Sequence, residues 1–233
     1  MFSYTFPPEN NIFPDPELAD EEGFLATGGD LEITTLLMAY SRGIFPWYSE
    51  DTPILWWSPH PRMVLFPKHL KVSKSLRQTI NRNLYTVSFD MDFPSVIQYC
   101  ARVPRKDQPG TWLTTEMQSA YIDFHEAGFA HSVETYKDGK LAGGLYGVSL
   151  GKAFFGESMF HLERDASKLA LYFLVQKLLE WEFDFIDVQI SSSHMYSLGA
   201  REISRPDFLR MLAGSILKNG HYGSWRDVGG GVV

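Results

Sequence analysis

An α+β fold is predicted for this 233-residue chain by three observations. Two strand-like segments, HSVETY and KLAGGLYGVSL, flank Lys137-Asp138-Gly139, and Asp-Gly between such segments signals a hairpin. A long stretch after Asp165 carries apolar residues at helical spacing through about Trp181 (Leu169, Tyr172, Phe173 and Leu179, beside Val175 and Leu178), with one interruption at Gln176. The segment FDFIDVQI that follows has Phe and Ile on both faces, as expected of a central, buried strand. Helices, then an antiparallel meander, then a long helix and one more strand make an α+β order.

The opening FPPENNIFPDPELA is rich in Pro and aromatics and is expected to be extended or looped. Residues 31–42 read as a short helix, with Asp30 at its start and Gly43 just past its end. IFPWYSEDTPILWWSPHPRMVLF is a poor helix and a plausible set of short strands and turns. A boundary is expected near residues 60–63, giving a small N-terminal domain (1–62) and a larger one (63–233) with a flexible C-terminal GGGVV. Helices are expected at 72–83, 93–102 and 115–127, and a strand at 85–89. A second turn at Leu150-Gly151 leads into KAFFGESMF, and Asp165 is placed to cap the long helix. In outline this order resembles the GCN5-related N-acyltransferase type of fold, which implies a mixed, mainly antiparallel sheet flanked by helices.

With 44% hydrophobic and 21% charged residues, the composition is that of a globular protein and excludes wholesale disorder. The one cysteine, Cys100, excludes an intrachain disulfide and a Cys-rich zinc site, and the seven histidines show no metal-ligand spacing. No metal or cofactor is expected. MFSYTFPPEN lacks the basic start and apolar run of a signal peptide, and no apolar stretch approaches the roughly 20 residues of a membrane span. A cytoplasmic protein without membrane association is expected.

The net charge of −7 is unevenly spread. Residues 1–41 hold eight acids and no Lys or Arg, leaving 21 basic and 20 acidic residues in the rest. Within that rest, residues 60–82 hold Arg62, Lys68, Lys71, Lys74, Arg77 and Arg82 and no acid. Such a block is either a solvated face or a contact for a phosphate backbone.

Alternation puts Phe183, Phe185, Asp187 and Gln189 on one side of their strand and Asp184, Ile186, Val188 and Ile190 on the other. A carboxylate and an amide therefore share a face that begins apolar. They form either a structural network or a polar catalytic floor. Glu157, inside GESMF, adds a second carboxylate among apolar residues. Such groups orient an amine, accept its proton or bind a cation. Among the aromatics, Trp47, Tyr48, Trp56, Trp57, Trp112 and Tyr121 are candidates for core or for stacking on unpaired bases. Trp56 and Trp57 point to opposite faces if their segment is a strand, so at most one belongs in the core.

The segments GGDL, LLMAYSRGIFPW, ILWWSPHPR, GTWLT, GGLYGV, GESMF, ASK, IDVQ and SLGA, in this order and spacing, resemble the leucyl/phenylalanyl-tRNA–protein transferases from about residue 24 to residue 210. The resemblance implies transfer of Leu or Phe, and Met weakly, from Leu-tRNA or Phe-tRNA to the N-terminal amine of proteins beginning with Arg or Lys, which marks them for N-degron degradation. It implies that Asp187, Gln189 and Glu157 are catalytic. It also implies that Tyr40, Trp47, Trp112, Leu145 and Phe154 hold the aminoacyl group and terminal adenosine of the donor, and Tyr121 and Ile186 are expected to join them. Leu145 stands where the family often has Met, and SSSHMYSLGA departs from the family's Asn-Asp-His pattern, which leaves Ser191 to Ser193 without an assigned role. The basic residues from Arg62 to Arg82 are then expected to grip tRNA phosphates. Gln189 is expected to contact the acceptor amine, with Asp187 orienting it and favouring proton loss. A monomer is expected. A CoA-dependent N-acyltransferase is the main rival, but FGESMFHLERDASK lacks a Gly-rich pyrophosphate loop. A tRNA-dependent cell-wall peptide transferase would be expected to be longer, with a duplicated domain. A non-enzymatic module for basic N-termini would leave the basic block unused.

Overall fold

The computed structural model describes residues 4–5, 13–102 and 113–232. Trp112 lies outside the described residues. Two sheets share the chain. The smaller has the order β1-β2-β4-β3 and is built from β1 (Tyr4–Thr5), β2 (Phe24–Thr27), β3 (Phe45–Pro46) and β4 (Leu55–Trp57). Helix α1 (Ile33–Ser41) connects β2 to β3. It stops at Gly43, which has φ +71°, and a Cβ there would sit 2.7 Å from the Phe208 ring. Glycine thus serves both the left-handed turn and the close approach of a later helix. Trp56 is fully buried, with its Nε1–H donating to Gly28 O, while Trp57 is only partly buried.

The larger sheet has the order β11-β5-β10-β9-β8-β7-β6-β12. Its members are β5 (Arg62–Leu65), β6 (Thr86–Phe89), β7 (Ala130–Lys137), β8 (Lys140–Leu150), β9 (Ala153–His161), β10 (Phe185–Gln189), β11 (Arg201–Ile203) and β12 (Gly231–Val232). Only β9 and β10 pair in parallel; every other pair is antiparallel. The β7–β8 hairpin turns on Asp138 and Gly139, both at positive φ, as a tight primed turn requires. The molecule is therefore α+β with a mixed, mainly antiparallel sheet flanked by helices.

Each face of the sheet has its own apolar cluster. On one side α3 (Phe93–Arg102), α4 (Thr115–Glu126) and α7 (Arg205–Ile216) pack with Tyr146, Phe155 and Phe185, and the small sheet and α1 join the same cluster. On the other side lies α5 (Ala166–Glu180), with Leu76 of α2 (Lys74–Ile80), Met195 of α6 (Ser193–Ser197), Leu145, Phe154 and Ile186. No helix among the described residues is long and apolar enough to cross a membrane.

Two local expectations are corrected. Asp165 does precede α5, but it adopts a left-handed conformation and its side chain does not cap the helix. Its carboxylate instead accepts from Thr79 Oγ1 and Lys168 Nζ, each at 3.2 Å. The C-terminal glycines, expected to be free, bring β12 alongside β6. A Cβ at Gly230 would lie 1.8 Å from Val87 O, so only glycine allows that approach. Before β12, Asp90 holds the chain by accepting from the Trp225 amide (2.7 Å) and the Ser132 amide (2.9 Å), and His131 stacks on the Trp225 ring.

Candidate active site

The parallel pair β9/β10 runs in register from Phe185↔Ala153 to Asp187↔Phe155, and there it ends. Both strands are irregular just beyond this point. On β9, Tyr146↔Ser158 is followed by Gly147↔Gly156, so Glu157 is the extra residue of a bulge. On β10, the register against β5 slips between Asp187 and Gln189, and Gln189 has φ +68°. Bulges bend a strand and re-aim its side chains. Here two adjacent bulges open a fork in the sheet and place Glu157 and Gln189 across it.

Glu157 is the hub. Its Oε1 accepts from Tyr40 Oη at 2.8 Å and from Gln189 Nε2 at 2.8 Å, and its Oε2 accepts from Tyr121 Oη at 3.2 Å. The two phenols also touch each other. Tyr40 comes from α1 and Tyr121 from α4, and both are fully buried, so the small sheet's helix contributes directly to the site. Burial, followed by the nearby Glu157 charge, raises both phenols well above their ordinary pKa, which keeps them neutral donors. Burial also pushes the Glu157 carboxyl up to about 7, against the lowering effect of its hydrogen bonds.

Beside this cluster lies a cavity of about 350 Å³ on the α5 side of the sheet. Leu145, Phe154 and Ile186, three of the residues expected to hold the aminoacyl group, line it together with Glu157. Leu171 and Leu174 of α5 and Met195 of α6 close it and were not anticipated. The leucine pair has i,i+3 spacing, a signal present in the sequence; Met195 carries none, because α6 is only one and a half turns long.

Other expected residues lie elsewhere. Asp187 does not line the cavity. It is buried on the opposite face, accepting from Arg62 Nε (2.9 Å) and Nη2 (2.7 Å) and from the Gln189 backbone amide (2.9 Å). The expected contact of Arg62 with tRNA phosphate is thereby corrected: its side chain is 1% exposed and its guanidinium lies over Phe45 and Phe208. Lys68, Lys71, Lys74, Arg77 and Arg82 are exposed. Trp47 does not reach the cavity either; its ring packs against Trp57, whose Nε1 donates to Trp47 O. Among the described residues no cluster of His, Cys, Asp and Glu could hold a metal ion.

Residues 64–213 match a family model described as leucyl/phenylalanyl-tRNA protein transferase, and residues 29–60 match the model for that family's N-terminal domain. A leucyl/phenylalanyl-tRNA–protein transferase of Syntrophobacter fumaroxidans is 52% identical over 217 residues, covering 93% of each chain. That of Thermodesulfovibrio yellowstonii is 53% identical over 214 residues, covering 92% of this chain and 87% of that one. Among solved structures, L-PGS from Bacillus licheniformis aligns with a TM-score of 0.39 at 13% identity, over 72% of this chain and 54% of that one, a likeness too slight to argue from.

Proposed function

The chain belongs to the leucyl/phenylalanyl-tRNA–protein transferase family, and on that premise we propose that it moves Leu or Phe, with Met a weak donor, from aminoacyl-tRNA to the N-terminal amine of proteins beginning with Arg or Lys. The observation that carries this reading is a polar hub of Glu157, Gln189, Tyr40 and Tyr121 beside an apolar cavity at a fork in the sheet. The donor's side chain fills the cavity. An unbranched or γ-branched chain fits better than a β-branched one, and apolar size selection is worth about 1–3 kcal/mol per methylene. The ester carbonyl then lies at the fork, next to Gln189 and Glu157.

The acceptor amine attacks that carbonyl. A C–N bond forms, the ester C–O bond breaks, and the tRNA 3′-terminal ribose oxygen leaves with a proton. Glu157 Oε2, which carries the single 3.2 Å bond from Tyr121, is free to hold the incoming amine and take its proton; Gln189 orients the reactants. Positioning of this kind can supply about 7–11 kcal/mol of barrier reduction. Asp187 acts through Gln189: by fixing the amide at position 189 in its left-handed turn it holds that side chain toward Glu157. The exposed lysines and arginines from 68 to 82 meet tRNA phosphates without reading sequence. The protein works as a cytoplasmic monomer.

Incubation with labelled Leu-tRNA and peptides differing only at the first residue tests the proposal. Labelling of Arg- and Lys-ended peptides, with none of an acetyl-capped control, is expected. Failure to label any peptide with intact Leu-tRNA would refute it.

A further inference from the structure

The cavity beside the polar hub is open on one side and closed on the other. Ile190 and His194 stand exposed along its lining, whereas Phe154, Leu174 and Ile186 are buried and form its floor. The Phe154 ring lies against β8: a Cβ at Gly147 would come within 2.5 Å of it. The ring has no room to move that way. Its aromatic neighbour is Trp225, with ring centroids 6.0 Å apart and planes tilted by 34°. Trp225 is itself fully buried and does not line the cavity, so it stands behind Phe154.

Trp225 belongs to the segment after α7, beyond the residues 64–213 that the family model matches. Its amide donates to Asp90 Oδ2 at 2.7 Å, and its Nε1–H donates to His221 O at 3.1 Å. Its indole stacks on His131 at 3.7 Å, with the planes 5° apart, and makes an edge contact with Trp181 at 4.9 Å between centroids. His131 is in turn held to Asp90 through Nδ1, at 2.9 Å. One carboxylate thus fixes both the backbone of Trp225 and the ring on which it lies. A packed interior has few voids, so a ring gripped in this way leaves its neighbour no slack.

From this arrangement we propose that Trp225 is a specificity-determining residue that never touches the donor: it fixes the Phe154 ring and, through it, the depth of the aminoacyl cavity. The inference rests on the reading of that cavity as the pocket for the donor's side chain. Gly147 sets the limit on one side of Phe154 and Trp225 sets it behind. A smaller residue at 225 leaves a void behind Phe154, and a void in a core is costly unless its neighbours settle into it. As the Phe154 ring settles back, the cavity lengthens. Phe, the longer donor side chain, then keeps its contacts, while Leu loses some of them. Trp225 is therefore a positioning residue, and its effect falls on the choice between donors.

The test is competition between Leu-tRNA and Phe-tRNA for transfer to one Arg-ended peptide, which reads the ratio of their kcat/KM values. That ratio does not depend on how much of the enzyme is folded, so mere loss of stability leaves it in place. Trp225→Leu should raise the Phe-to-Leu ratio on the order of tenfold, the effect of about one methylene in an apolar pocket. Trp225→Phe, which keeps a ring against His131, should raise it less. Trp56→Leu, at a fully buried tryptophan in the other apolar cluster, should leave the ratio as in the wild type. If Trp225→Leu does not fold, Trp225→Phe carries the test alone, with a rise of the same sign. An unchanged or falling ratio in the Trp225 variants, or an equal rise in Trp56→Leu, would overturn the assignment. Absence of transfer from both donors by the wild type would instead refute the donor reading on which it rests.

Discussion

Glu157 concentrates three hydrogen bonds on one carboxylate, yet its pKa stands near 7 because burial outweighs them. If its ionised form takes the amine's proton, single-turnover transfer should rise with pH through about 7, apart from spontaneous ester hydrolysis. Glu157→Gln should erase that limb and lower the rate by about 10²–10⁴-fold, the usual contribution of a general base. The same shift has a signed effect on folding. A folded pKa raised above the ordinary 4.5 contributes stability that is complete below 4.5 and is lost as pH rises to about 7. Chemical denaturation across that window should therefore show the wild type losing stability relative to Glu157→Gln. Arg62 and Asp187 form the second pair, both fully buried. Arg62→Met should cost about 3–5 kcal/mol by leaving a carboxylate buried and unpaired, and Asp187→Leu in the same chain should restore much of it. Urea unfolding of the two variants decides the point. Strand alternation predicts one face for Asp187 and Gln189, but the bulge between them breaks that alternation. That Arg62 is the partner of Asp187 was not legible: 125 residues separate them, and six basic residues in one run read as a surface.

At the scale of elements, the site depends on where strands stop being regular. The Asp-Gly hairpin, the long helix and the buried strand are each written in local spacing, and each forms where that spacing places it. The bulges are not local. Glu157 is displaced because β8 opposes two residues of β9 with one, and Gly147 on β8 is what permits it. A Cβ there would lie 2.2 Å from Phe155 O and 2.5 Å from the Phe154 ring. Gly147→Ala should therefore cost about 1–3 kcal/mol by forcing the ladder apart, and should also lower transfer, because the rearrangement falls at Glu157. Denaturation midpoints and single-turnover rates measured together would show both effects. Loss of stability with no loss of rate would mean that the bulge does not set the position of Glu157. The left-handed Asp165 before α5 is another nonlocal outcome: its carboxylate finds Thr79 and Lys168 in place of the helix amides.

Across the whole molecule, charge and core are distributed differently. The first 41 residues hold eight acids and no Lys or Arg, whereas residues 60–82 hold six bases and no acid. The core respects no such division. Phe13, Tyr40, Phe45 and Trp56 lie in one apolar cluster with Phe93, Tyr121, Phe155 and Phe208. A cut between the sheets, near the cis His60–Pro61 bond, would strip one wall from this cluster and remove Tyr40 from Glu157. The shared cluster thus ties the two sheets into one thermodynamic unit. Calorimetry should record a single transition whose van't Hoff and calorimetric enthalpies agree, and neither half should melt cooperatively when made alone.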